Sequence, residues 1–261
     1  MVKFEKITSR ENATIKQVIT LISSSKKRRE SGLFVLEGLR LSTDAYISGY
    51  RFETLFLSET AQAKNKQEAE KLSAVSNKTY LLPDSLFEKI SDTVNPQGFL
   101  AVCKISQTLS SLNKSGKYIA LENLSDPSNL GAISRTAEAF GFDGIVLSAD
   151  SCDPYAPKSL RASMGALLRI PLMVTDDIIA TAEMFGIKTY SAVISEKAEP
   201  LNKVNFEKGS MVIIGNEANG IRPQTADKSY KLITIPMSGK AESLNAATAA
   251  SIIMWEMCRN L

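Results

Sequence analysis

The chain has 261 residues, 44% hydrophobic and 23% charged, with a net charge of +3 and no histidine. That balance is ordinary for a globular protein of one large or two medium domains, and it permits an anionic partner without demanding one. The missing histidine excludes Ser-His-Asp and Cys-His catalysis in their usual forms and histidine-based zinc sites. Any proton acceptor must then be Asp, Glu, Lys, Arg, Tyr, Cys or a water. Cys103, Cys152 and Cys258 are odd in number and widely spaced, which gives neither a disulfide framework nor a CxxC metal site. They read as small apolar fillers in a reducing cytoplasm, and no metal is expected. The N-terminal MVKFEKITSRENATIK carries no apolar signal segment. No apolar run reaches the ~18 residues of a membrane span, so a cytoplasmic protein is expected.

Residues 10–25 place Ile15, Val18, Ile19 and Ile22 at helical spacing, which predicts an amphipathic helix. It runs into Lys26, Lys27, Arg28 and Arg29, four adjacent cations that suit either a helix C-terminus or contact with phosphates. Strands are expected at 33–36, 52–57, 79–82 and 99–103. Helices are expected around 39–48, at 61–75 and at 84–91, the last with Asp84 as its cap. This first α/β part holds no nucleophile or ligand cluster, and binding fits it better than chemistry. The polar stretch ISQTLSSLNKSG marks the domain boundary. We divide the chain into a first domain at 1–106, a linker at 107–116 and a second domain at 117–261.

The second part alternates strands at 118–121, 144–147, 188–193, 211–214 and 231–235 with helices at 130–140, 157–164, 178–185 and 244–259. Such alternation predicts a mostly parallel sheet covered on both faces. Three polar loops follow strand ends, where open α/β sheets bind ligands. The first, ENLSDPSN, leads into LGAISRTA, with Asn129 where a helix N-cap belongs and Arg135 six residues on. The second is GNEANG (215–220), whose glycines permit close approach of a ligand. The third runs IPMSGKAESLNAA (235–247) into the last helix. No GxGxxG and no GKS/T loop is present, which speaks against a dinucleotide- or ATP-dependent enzyme.

Together NLGAISRTA, IIGNEANGI and IPMSGKAESLNAATAAS resemble the three motifs of the SpoU (TrmH-like) RNA ribose 2′-O-methyltransferases of the SPOUT superfamily. PKSLRASMGA is similar to the family's intermediate segment. SGLFVLEGLRL and NPQGFLAV resemble the ribosomal-protein-like RNA-binding domain that precedes the catalytic domain in many members. The resemblance implies an α/β fold with a deep trefoil knot, a homodimer packed through the knot domain, S-adenosylmethionine as cofactor and RNA, ribosomal before transfer RNA, as substrate. Carried over by motif, Gly215, Ile235 and Leu244 contact the cofactor, and Asn216, Glu217, Met237 and Ser243 shape its pocket. Arg135 is the motif's hydroxyl-activating residue. Arginine is a poor base, so we assign it to the RNA phosphate and the developing alkoxide, assisted by Asn129, Ser243 and Asn245, with Glu217 as a candidate proton acceptor. The alternative is a non-catalytic RNA-binding protein on the same knotted fold.

Overall fold

A computed structural model of the chain describes residues 4–106 and 108–259. It falls into two units, Met1–Ser106 with Tyr155–Leu168, and Gln107–Pro154 with Arg169–Leu261. The first unit contains β1 (Glu5–Lys6), α1 (Ala13–Ser23), α2 (Ser25–Ser31), β2 (Leu33–Glu37), α3 (Leu39–Ile47), β3 (Phe52–Ser58), α4 (Glu59–Lys64), α5 (Lys66–Ser73), β4 (Thr79–Leu82), α6 (Asp84–Ile90) and β5 (Phe99–Lys104). Its sheet runs β1-β4-β3-β5-β2. β5 is antiparallel to both neighbours and the other pairs are parallel. The stripe Ile15, Val18 and Leu21 of α1 is buried against Phe56, Leu100 and Val102 of the sheet.

Two helices expected as one piece are broken. Ser24 is extended, ends α1 and caps α2 through its hydroxyl, which accepts from Lys27 N. Asn65 likewise separates α4 from α5. Asp84 is not the cap of α6, since Pro83 holds that position. The Asp84 carboxylate instead accepts from Thr60 N (3.2 Å) and Thr60 Oγ1 (2.6 Å) at the start of α4.

The basic run needs correction. Arg28 is only 4% exposed, and its guanidinium donates to the Leu21 and Ile22 carbonyls at the end of α1. It satisfies carbonyls that the helix terminus leaves open and does not face RNA. Lys27 pairs with Glu30 at 2.8 Å and Lys26 approaches the same carboxylate at 3.9 Å, while Arg29 is exposed.

The second part of the chain contains β6 (Lys117–Leu121), α7 (Pro127–Ala139), β7 (Gly144–Ser148), α8 (Pro157–Ser163), β8 (Leu172–Thr175), α9 (Ile178–Met184), β9 (Lys188–Ala192), β10 (Glu199–Pro200), β11 (Ser210–Ile214), α10 (Pro223–Lys228), β12 (Lys231–Thr234) and α11 (Ala246–Arg259). The seven strands run β10-β12-β9-β11-β6-β7-β8 and all pair in parallel. Every residue of β7 and β11 is buried, as a sheet covered on both faces requires. β8 and α10 were not foreseen, since α10 buries no side chain and leaves no apolar stripe.

The segment Tyr155–Leu168, placed by sequence in a continuous catalytic domain, groups instead with the first unit. There the Tyr155 ring lies 5.0 Å from Phe34, α8 packs on β2, and Arg161 Nη2 meets Asp92 at 2.7 Å. Among the described residues no helix is long and apolar enough to cross a membrane.

Arg28→Ala is expected to destabilise the protein by about 2–4 kcal/mol, because it strands two carbonyls and leaves a gap. Arg29→Ala should stay within about 0.5 kcal/mol of wild type. Urea unfolding midpoints check both.

Candidate active site

β6 is the switch point of the parallel sheet. β7 and β8 follow on one side of it, and β11 and β9 lie on the other. Ligands of such sheets bind outside the carboxyl ends of the strands at this point. A cavity of about 510 Å³ lies on the β11 side of this point, beyond the ends of β9, β11 and β12. Its walls are residues 192–194, 214–221, 233–235 and 242–244, with Met237 and the α11 residues Ala246, Ala249 and Ile253. That volume suits a ligand of drug or cofactor size.

The second loop is a closed hairpin. Asn216 and Gly220 exchange backbone hydrogen bonds of 3.0 and 2.9 Å. A Cβ on Gly215 would lie 2.2 Å from the Gly220 carbonyl carbon, so only glycine fits there. The Asn216 side chain is fully engaged. Its Oδ1 accepts from Ala218 N and Asn219 N, and its Nδ2 donates to Asn123 O (2.8 Å) and Ser125 Oγ (2.9 Å) in the first loop.

In the first loop Asp126, not Asn129, caps α7, accepting from Ser128 N at 2.9 Å with Pro127 next. Asn129 therefore sits inside the first turn, 7% exposed, and is free to join the other loops. Its Nδ2 donates to Glu217 Oε1 (2.9 Å), and its Oδ1 accepts from Asn245 Nδ2 (3.0 Å). Asn245 at the same time caps α11, accepting from Ala247 N (2.9 Å) and Thr248 N (3.3 Å). One residue from each of the three loops thus forms a single line, Asn245–Asn129–Glu217.

Glu217 also accepts from Ser125 N and Asp126 N, each at 3.0 Å. Partial burial pushes its carboxyl upward, but the donors from Asn129, Ser125 and Asp126 outweigh this and hold it below the ordinary glutamate value. A carboxylate so well supplied with donors is a weak base.

Of the expected site residues, Gly215, Asn216, Glu217, Ile235, Met237, Ser243 and Leu244 line the cavity. Asn129 and Asn245 stand beside it, linked through Glu217. Arg135 does not line it. It is exposed on α7, and its side chain makes no hydrogen bond or ion pair among the described residues. Lys26, Lys27, Arg28 and Arg29 belong to the other unit.

Sequence reasoning missed Glu122, which follows β6 directly. It is 3% exposed and accepts from Arg222 N (2.8 Å) and Thr225 Oγ1 (2.6 Å), holding the start of α10. Arg222 in turn pairs with Asp150. The available signal was a lone carboxylate at the end of an apolar strand. Also missed was the wall at 192–194, apolar residues just past β9. Cys152 lies near this site. Its thiol is pushed up to about 12 by burial and then by the carboxylates of Glu217, Asp126 and Asp153, so it stays protonated and is no nucleophile.

Known protein families match two stretches of the chain. Residues 116–255 match the SpoU rRNA methylase family, and residues 12–101 match the MRM3-like substrate binding domain. An uncharacterized tRNA/rRNA methyltransferase of Synechocystis is 33% identical over 97% of this chain and 93% of its own. The 23S rRNA (guanosine(2553)-2′-O)-methyltransferase of Bacillus subtilis is 28% identical over 97% and 99%. The crystal structure of an AdoMet-bound rRNA methyltransferase from Sinorhizobium meliloti superposes with a TM-score of 0.85 at 29% identity, covering 99% of this chain and 98% of that one. The motifs at the three loops, the parallel sheet that carries them and the matched span agree: the chain belongs to the SpoU rRNA methylase family.

Proposed function

We propose that the protein transfers a methyl group from S-adenosylmethionine to a ribose 2′-hydroxyl in RNA, ribosomal RNA in preference to transfer RNA. The observation that carries this reading is the cavity beyond the ends of β9, β11 and β12, whose second and third loops the Asn245–Asn129–Glu217 line ties to the first. Two relatives support it in kind, one crystallised with AdoMet and one named for methylation of a guanosine 2′-oxygen. The residues present suit the cofactor. Gly215 lets the hairpin backbone close tightly at the cavity wall, Ile194, Ile235 and Leu244 offer apolar contact to an adenosine, and Ser243 offers a hydroxyl. When bound, the cofactor supplies an electrophilic methyl on a sulfonium.

The chain's own part is positioning and electrostatics. Glu217 serves as a clamp rather than as the proton acceptor, since its oxygens are committed to loop N–H groups and its proton affinity is lowered. Arg135 holds a substrate phosphate and stabilises the developing alkoxide. Because it stands outside its own cavity, this role goes with a homodimer in which the guanidinium serves the partner's site. The helix pair α7–α11 is the proposed dimer face. Its exposed Trp255 (56%) and Ile252 (38%) are large apolar groups, and the Trp255 ring lies tilted, 5.7 Å from that of Phe140 at the end of α7. The trefoil knot fits the strand order, in which β11 lies between the earlier β6 and β9. Residues 1–106 bind the RNA, 107–116 link, and 117–261 carry the reaction, with 155–168 packed on the RNA-binding part.

The deciding experiment incubates the purified protein with radiolabelled S-adenosylmethionine and unmodified ribosomal RNA and maps ribose methylation. No transfer from a cofactor-loaded protein sinks the reading and leaves the non-catalytic RNA-binding alternative. Arg135→Ala should keep the cofactor Kd within about twofold by calorimetry and lower the transfer rate by on the order of 10²-fold or more. Trp255→Glu should turn a dimer into a monomer in sedimentation velocity, with transfer lost. The Glu217 clamp predicts a pH dependence. Its folded pKa lies below the ordinary 4.5, so its contribution is present above that pH and is lost as pH falls through the lower folded value. The gap in urea midpoint between wild type and Glu217→Gln should be widest near neutrality and close below pH 4.5.

A further inference from the structure

The first unit carries a second cavity of about 550 Å³, lined by Leu39, Arg40, Thr43, Asp44, Asn65 and Gln97. One side of it is held rigidly. The buried Glu37 carboxylate accepts from Ser91 Oγ, from Asp92 N (2.9 Å) and from Thr93 Oγ1 (2.5 Å), which pins the loop after α6 to the end of β2. Gly98 closes that loop at φ +77°, where a Cβ would lie 2.4 Å from Ala61 Cβ. Gln97 is thereby fixed, its Oε1 accepting from Leu39 N at 2.9 Å.

The polar groups of the cavity are only half used by the protein. Gln97 spends its acceptor on α3 and keeps its amide N–H groups. Asn65 spends its Nδ2 on Ala61 O (3.1 Å) and keeps its Oδ1. Arg40 and Asp44 stand one turn apart on α3, the spacing at which such residues pair. Yet neither side chain makes an ion pair or hydrogen bond among the described residues. The cavity therefore presents a guanidinium, a carboxylate, an amide donor and an amide acceptor, all available to a ligand. A nucleotide matches that set. Arginine takes a phosphate, an acidic residue accepts from the exocyclic amino group of cytosine, and amides read base edges. RNA is read at bases splayed out of the helix, and the cavity is large enough for one.

We propose that this cavity holds one unpaired nucleotide of the RNA substrate, with Arg40 on its phosphate and Asp44 accepting from the amino group of a cytosine. The proposal rests on the RNA reading above and assigns the part of the N-terminal unit that discriminates sequence.

The test measures binding of the full-length protein to fluorescent single-stranded oligo-C and oligo-U of about 12 nucleotides, a span within the usual site sizes. These two bases differ at position 4, amino against carbonyl. Wild type should prefer oligo-C by on the order of 5–10-fold, and Asp44→Ala should erase the preference. Arg40→Ala should weaken both probes alike and reduce the slope of log affinity against log salt by about 0.7, whereas Arg40→Lys keeps the slope. Cofactor affinity and urea midpoints stay at wild-type values in all three variants. The proposal is overturned if the folded variants bind both probes as wild type does, or if Asp44→Ala keeps the preference. Methyl transfer by wild type to ribosomal RNA separates the two claims. Transfer with unchanged oligonucleotide binding sinks the cavity alone, and absence of transfer sinks the methylation reading whatever the oligonucleotides do.

Discussion

Three loops without regular structure of their own meet at one place because Asn129 is shared. Its amide donates to Glu217 in the second loop and accepts from Asn245 in the third, with distances of 2.9 and 3.0 Å. Each partner is itself anchored, Glu217 by two backbone N–H groups of the first loop and Asn245 by the first turn of α11. A polar group this buried is costly when unpaired, so the line stands or falls together. The cavity walls at 215–221 and 242–244 depend on it for their relative position.

A second carboxylate completes the arrangement in the opposite direction. Glu217 reaches from the second loop to the first, and Glu122 reaches from the first to the exit of the second, at Arg222 and Thr225. The two clamps bracket the GNEANG hairpin at its tip and its end. Glu217 is not suited to accept a proton while it holds N–H groups. Arg135 is exposed on α7, its side chain without a partner among the described residues, which leaves it free for the role proposed for it on the substrate. This is consistent with chemistry that relies on orientation and charge stabilisation more than on a strong base.

The first unit follows the same economy of charge. Arg28 turns inward to finish α1, and Glu37 turns inward to hold the loop before β5. What remains outside is selective: Arg40 and Asp44 face one cavity and do not neutralise each other. The excursion Tyr155–Leu168 joins this unit through Phe34 and Asp92, so sequence that lies between two strands of the parallel sheet is structurally part of the other unit.

By itself the sequence determined the α/β class, most of the strands and the three loops, because apolar β-branched runs and 3.6-residue stripes are local patterns that burial on both faces of a sheet imposes. It also carried the motifs through which the family was visible, and with them seven of the residues that line the cavity. The tertiary structure alone decided what depends on partners distant in the chain. A cap and a pocket residue look alike in DPSN until Asp126 takes the helix end and frees Asn129 for Glu217, 88 residues away. Four adjacent cations look alike until the carbonyls of α1 select Arg28. Glu122 shows locally only as a lone carboxylate at the end of an apolar strand, because its partners lie 100 residues and more further on. Hydrogen-bond partners of polar side chains are set by which segments packing brings together, and that is not written in the spacing of neighbours.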